Sequence, residues 1–97
     1  MAKGWQTFED SNFVAGDSPI TLDVSGELTR PSDTGYIACD GAGSIQVEVA
    51  VTSGNLFGDP FTMRQGEAVT FDGSRVQKIR LTHLGTDSAY RVVCVAF

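Results

Sequence analysis

The sequence predicts an all-β fold: an antiparallel β-sandwich or a jelly-roll-like small barrel of about eight short strands. Three observations carry that prediction. Apolar residues recur at alternate positions, most cleanly in SIQVEVAVT (44–52), where Ile45, Val47, Val49 and Val51 share one face. Eleven glycines punctuate the chain at the short intervals that turns between strands require. No helix-length window shows a convincing 3.6-residue period. At 97 residues the chain has the length of one domain. We read 1–97 as a single β domain, with residues 1–15 an N-terminal arm or edge strand.

Taken in order, residues 1–4 form a lead-in. The segment from Trp5 to Val14 sets Trp5, Phe8 and Phe13 among polar residues without a clean period, as an irregular arm or edge strand does. SPITLDV (18–24) alternates, with Ile20, Leu22 and Val24 on one face, and Ser25-Gly26 closes it. TRPSDTG reads as a loop by its Pro, Ser, Asp and Gly content. A short strand from Gly35 to Cys39 precedes the turn DGAGS, and 44–52 is the cleanest strand of all. SGNLFGDP (53–60) is the longest turn-like segment, with Leu56 and Phe57 as a contact tip or a lid folded back on the core.

Phe61 to Arg64 starts the next strand, Gln65-Gly66 turns it, and Glu67 to Phe71 returns. Asp72-Gly73 is a strong hairpin signal. QKIRLTH then sets Gln77, Ile79, Leu81 and His83 on one face and Lys78, Arg80 and Thr82 on the other, and Gly85-Thr86-Asp87 turns again. From Ala89 to Phe97 the last strand is apolar on both faces: Tyr90, Val92, Cys94 and Ala96 against Val93, Val95 and Phe97. A strand covered on both sides reads this way. Its second face is expected to meet the N-terminal arm or another subunit.

The formal net charge is −5. Duplex binding needs clustered Lys and Arg to displace counterions, so nucleic acid is not expected as a partner. Residues 1–59 set Lys3 and Arg30 against nine acids, a net of −7, whereas residues 60–97 carry five bases and three acids, a net of +2. That asymmetry predicts acidic and basic faces that orient the molecule on a neighbour. MAKGWQTFED lacks an apolar core of signal-peptide length, and no stretch is long enough to span a bilayer. The expectation is a chain made inside the cell, not exported by a standard signal, with no membrane partner. Cys39 and Cys94 fit as free buried thiols, though adjacent strands would also allow a disulfide. Two cysteines and one histidine cannot assemble a four-ligand zinc site, and no metal or cofactor is assigned.

Three fragments invite a chemical reading. Asp33-Thr34-Gly35 matches the D-T-G of aspartic proteases, where two carboxylates share a proton in a dry dimer centre. Here Arg30-Pro31-Ser32 precede it as a solvated turn, and the short C-terminal helix of the retropepsin-like proteases is missing. Gly16-Asp17-Ser18 resembles the nucleophile motif of the GDSL hydrolases, but no later Asp-x-x-His follows. His83, the one histidine, has no recognisable nucleophile beside it in sequence. No catalytic residue is assigned.

The runs FTMRQGEAVTF (61–71), VQKIRL (76–81) and AYRVVCV (89–95) resemble the small β-sandwich accessory proteins of tailed-bacteriophage virions. The likeness lies in a pattern of strands: a Gly-Glu hairpin ending in Phe, an I-x-L strand and a closing V-x-V strand. It implies a non-catalytic virion part, most specifically a capsid decoration or cement protein, or else a neck or tail accessory protein. Such a part binds the major capsid protein or another virion protein by surface burial, and forms a homo-oligomer where it sits on a symmetry axis. Its candidate contacts are Trp5, Phe8 and Phe13 of the arm, Leu56 and Phe57 of the tip, and the basic set Arg75, Lys78 and Arg80. The alternative is a carbohydrate- or small-ligand-binding sandwich, with Trp5, Tyr36 and Tyr90 as its aromatic platform.

Overall fold

A computed structural model of the chain describes residues 4–51 and 56–97, with Ser74 described by its backbone alone. In the described residues, eight strands and one short α-helix follow in the order β1 (Trp5–Phe13), β2 (Ile20–Leu22), α1 (Val24–Leu28), β3 (Ser32–Cys39), β4 (Ile45–Ala50), β5 (Phe61–Met63), β6 (Ala68–Val76), β7 (Lys78–His83) and β8 (Ser88–Val95), with a single 3-10 turn (Ala15–Asp17) between β1 and β2. Sheet A has the order β1-β8-β3-β6 and sheet B the order β2-β7-β4-β5, with every neighbouring pair antiparallel. The pairs β1:β8, β2:β7, β3:β6 and β4:β5 nest inside one another along the chain. This is a long hairpin ribbon rolled upon itself, and the contacts β8:β3 and β7:β4 close each sheet. The predicted all-β sandwich is therefore the fold, in the jelly-roll strand order.

The inner faces follow the alternation read from the sequence. Ile45 and Val47 of β4, Ile79 and Leu81 of β7, Met63 of β5 and Leu22 of β2 point from sheet B toward Ile37, Val92 and Cys94 of sheet A. Phe13 joins the two layers. Its ring meets Tyr90 edge-on at 5.2 Å and His83 edge-on at 5.9 Å, an arrangement that aromatic quadrupoles favour. Phe13 reaches that position because β1 carries a bulge. Asp10 pairs Tyr90 and Phe13 pairs Ser88, one extra residue on β1, and the Asp10 carboxylate accepts the Asn12 N–H at 2.9 Å. The bulge resets the alternation, so Phe8 and Phe13 both turn inward despite their odd spacing. It also explains the missing period in this segment.

Four local expectations are corrected. Asp72-Gly73 does not reverse the chain. Both residues lie inside β6, where Thr34 pairs Asp72 but Ser32 pairs Val76, and Gly73 at φ +75° supplies the left-handed step of a bulge. TRPSDTG is only half loop, because β3 already begins at Ser32. The D-T-G glycine is required there: a Cβ on Gly35 would run into the Val93 carbonyl oxygen and the Phe71 ring. Val24 does not continue the second strand but starts α1, capped by the Asp23 carboxylate accepting the Gly26 N–H at 3.1 Å. The strand read over 44–52 ends at Ala50, and Val51, expected to face in, is exposed beyond it; Thr52 and the loop residues 53–55 lie outside the described residues, as do residues 1–3 of the lead-in.

Phe13 is 1% exposed, so its truncation removes a full ring from the junction of the two layers. Phe13→Ala is expected to cost about 3–5 kcal/mol, a large share of a small domain's stability. Chemical denaturation checks this, and a loss below ~1 kcal/mol would show that Phe13 does not hold the layers together.

Candidate functional site

The two outer faces of the sandwich differ in chemistry. Sheet B presents Thr21, Arg80 and Glu48 in one row, Thr82, Gln46 and Thr62 in a second, and Lys78 opposite the buried Ala50 in a third. Arg80 binds Glu48 through two bonds, Nε to Oε1 at 3.0 Å and Nη2 to Oε2 at 2.8 Å. The Phe57 ring lies 4.2 Å from the Arg80 guanidinium carbon, in cation–π contact. This is the polar surface that an ordinary antiparallel sheet turns to water.

Sheet A breaks that rule. Its outer rows, read across β1, β8, β3 and β6, are Trp5–Val95–Thr34–Asp72, then Thr7–Val93–Tyr36–Thr70, then Glu9–Arg91–Ala38–Ala68. The first two rows are apolar or β-branched except for Asp72 at the margin. Trp5 is 66% exposed and Phe97, just past the end of β8, is 87% exposed. Arg91 closes one end of the strip, 3.5 Å from Asp40 and with its guanidinium 5.8 Å from the Tyr36 ring centre. The arm does not cover the second face of β8, as one expectation had it. It lies in plane beside β8, and Val93 and Val95 stay half-buried at the surface.

The rim of this face is braced from beneath. Arg30 Nη2 donates to the Ala96 carbonyl at 2.9 Å, the Asp33 carboxylate accepts the Phe97 N–H at 2.9 Å, and the Ala96 N–H meets the Gly4 carbonyl at 2.9 Å. The buried Ser32 hydroxyl donates toward the carbonyls of Thr34 and Val95, at 2.9 and 3.0 Å. Trp5 and Phe97 are therefore displayed on a tied backbone. Asp33-Thr34-Gly35 is part of this brace: Asp33 holds Phe97, and the Thr34 hydroxyl donates to the Phe71 carbonyl at 3.0 Å. In the Gly16-Asp17-Ser18 turn, the Ser18 hydroxyl accepts the His83 backbone N–H at 2.8 Å.

The predicted contact residues do not form one surface. Trp5 stands on the outer face of sheet A. Phe8 is half-buried against the core, and Phe13 lies within it, so their inward orientation after the bulge removes Phe13 from the surface. Leu56 is 74% exposed, whereas Phe57 is half-buried over Arg80. Arg75 is exposed on β6 of sheet A, while Lys78 and Arg80 lie half-buried on sheet B. The basic set is thus divided between two sheets. Tyr90, named for a carbohydrate platform, is buried beside Phe13, which leaves Trp5 and Tyr36 of the three. The sequence reading put Val93, Val95 and Phe97 on one face without nominating them. Their signal was the apolar character of both faces of β8.

Cys39 and Cys94 are buried and free. Cys94 pairs Gly35 across β3 and β8, which puts it four residues, roughly 13 Å, from Cys39 along the strand and beyond disulfide reach. Among the described residues no pocket is found, no three His, Cys, Asp or Glu side chains converge on a metal position, and no helix is long and apolar enough to cross a membrane.

Burial pushes the Cys94 thiol up to about 11, against a small opposing pull from Ser32, and burial also raises Cys39. Native protein at pH 8 is expected to react with a thiol reagent far more slowly than the unfolded chain, and both thiols should titrate in denaturant. Rapid native labelling of either cysteine would contradict this packing. Separately, the hydrogen bonds from Arg80 hold Glu48 below its usual carboxylate range. A lowered native value stabilises the fold above the ordinary carboxylate range and loses that contribution as pH falls through it. Glu48→Gln should therefore flatten the fall in melting temperature on the acid side. A parallel curve for wild type and variant would show that the pair contributes nothing.

Comparison of the chain with protein-family models, with curated proteins and with solved structures finds no match in any of the three.

Proposed function

We propose that this chain is a non-catalytic virion structural protein, a capsid decoration or cement protein that binds the outside of a tailed-phage head through the outer face of sheet A. The observation that carries this is the composition of that face. Trp5, Tyr36, Val93 and Val95 stand on it with Thr7, Thr34 and Thr70, the exposed Phe97 follows the end of β8, and charges lie only at its margins. An exposed apolar patch rimmed by polar groups marks a contact surface, and Trp and Tyr are the residues most often enriched at binding hot spots. The strand pattern of residues 61–95 supports the same reading. Jelly rolls build viral capsid domains and lectins alike, so topology favours neither by itself.

Size argues for a repeated contact. Three strand spacings of roughly 4.8 Å by about six residues at 3.3 Å give a footprint on the order of 300 Å². A stable standard interface takes ~800 Å² from each partner. One such contact is weak, and many copies on a lattice make the sum strong. The partner is then the major capsid protein or another virion protein, and the site of action is the virion, assembled in the host cytoplasm. Trp5 and Tyr36 on one face favour the carbohydrate alternative as the second reading.

Gold-labelled antibody against the chain, applied to particles purified from the source cells, should decorate heads at regular spacing. Val93→Lys and Trp5→Ser should each weaken binding of the purified protein to those heads at least ten-fold while leaving the melting temperature within a few degrees. Particles without label would overturn the assignment. Saturable quenching of Trp5 fluorescence by sugars, without particle binding, would install the carbohydrate reading instead.

A further inference from the structure

Among the described residues the sandwich has four free strand edges, and three of them are protected. Edge strands expose unpaired N–H and C=O groups that template further pairing, and proteins block them with charges, bulges, prolines or short length. β1 carries Glu9, the half-buried Asp10 and the bulge before Phe13. β2 and β5 are three residues long and follow Pro19 and Pro60. β6 is nine residues long, and its first four, Ala68-Val69-Thr70-Phe71, contain no charge, proline or bulge. Among the described residues nothing lies beyond it.

We propose that a second copy of this chain pairs antiparallel with β6, about a two-fold axis through Thr70. The backbone parity sets that register. Glu67 O accepts the Cys39 N–H at 2.9 Å and Phe71 O accepts the Thr34 hydroxyl, so positions 67, 69 and 71 turn toward β3. Ala68, Thr70 and Asp72 then turn their N–H and C=O groups to the free edge. A two-fold at Thr70 makes hydrogen-bonded pairs of Thr70 with Thr70 and of Ala68 with Asp72 of the second copy.

The same register sets Val69 opposite Phe71 of the second copy, twice, in the closer non-hydrogen-bonded pairs where side chains touch best. These two side chains face inward at the open side of the sandwich, beside Ile37 and Gly35. Val69 is nevertheless 37% exposed and Phe71 only half-buried, because no further strand covers them. Glu67 and Arg75 are exposed at opposite ends of this stretch, so the two-fold brings opposite charges to the same end of the pairing. The bulge at Gly73 stops the pairing there.

The axis stands perpendicular to the sheet, so the dimer carries two outer faces of sheet A on one side of a continuous eight-stranded sheet. That arrangement would make attachment to a surface bivalent, but the pairing itself requires nothing of the function proposed above.

Sedimentation of the untagged full chain from 1 to several hundred micromolar should show a monomer–dimer equilibrium. Thr70→Lys sets two ammonium groups face to face on the axis, and Thr70→Pro deletes the edge N–H. Each should raise the dimer Kd at least ten-fold with unchanged circular dichroism, because Thr70 is exposed and its N–H lies outside the β3 ladder. Thr70→Cys should give a disulfide-linked dimer under mild oxidation, since hydrogen-bonded cross-strand partners sit within disulfide reach. Val93→Lys should leave the dimer intact, which separates this edge from the sheet A face. A wild-type monomer at every concentration would overturn the proposal, as would a dimer that resists Thr70→Lys. If Thr70→Pro misfolds, the Lys and Cys variants still decide.

Discussion

Sheet A depends on β8. β8 lies between β1 and β3 and hydrogen-bonds both, so Trp5 finds Val95 across nearly the whole chain length. Neither β1 nor β3 has the other as a neighbour, and without β8 the layer would be two separate fragments. Such non-local pairing closes long loops before it gains contacts, the condition for slow folding. It also accounts for the hydrogen bonds that Arg30, Asp33 and Gly4 spend on Ala96 and Phe97. A central strand that ended in a frayed tail would leave the middle of the sheet open.

The nesting of the ribbon also disposes of the charge asymmetry. Every neighbouring pair in both sheets, nested or closing, joins a strand from the acidic first half to one from the basic second half. Acids and bases therefore meet strand by strand: Glu48 with Arg80, Asp40 with Arg91, and Glu9 opposite Arg91. What reads along the chain as two oppositely charged halves becomes local pairing in space. The faces that do differ are the two outer surfaces. One is charged and internally satisfied, and the other is apolar and unpartnered among the described residues.

Much of this was legible before the structure. The alternation in residues 45–50 named the inner face of β4 and that in 78–83 separated the two faces of β7, because a strand has one core side and period two exposes it, whereas β8, apolar on both faces, left its inner face open. The departures come from residues that serve two conformations. Asp72-Gly73 makes a hairpin turn or a bulge with the same left-handed glycine, and only the presence of β3 alongside decides for the bulge. The Phe8–Phe13 spacing hides its periodicity because one inserted residue shifts the phase. Ser25-Gly26 looked like a stop, but the Asp23 carboxylate turned it into the first turn of a helix.

By itself, the sequence determined that the chain forms strands, how the faces of β4 and β7 divide, and that β8 is apolar twice over. Those are properties of neighbouring residues, and local sterics and periodicity encode them. Only the tertiary structure decided which strands lie side by side, and hence that Trp5, Tyr36, Val93 and Val95 share one surface while Arg75 is parted from Lys78 and Arg80. Only it showed which edges are guarded and which is bare. A surface on a sheet is assembled across strands distant in sequence, and the strand order that assembles it is a property of the whole chain.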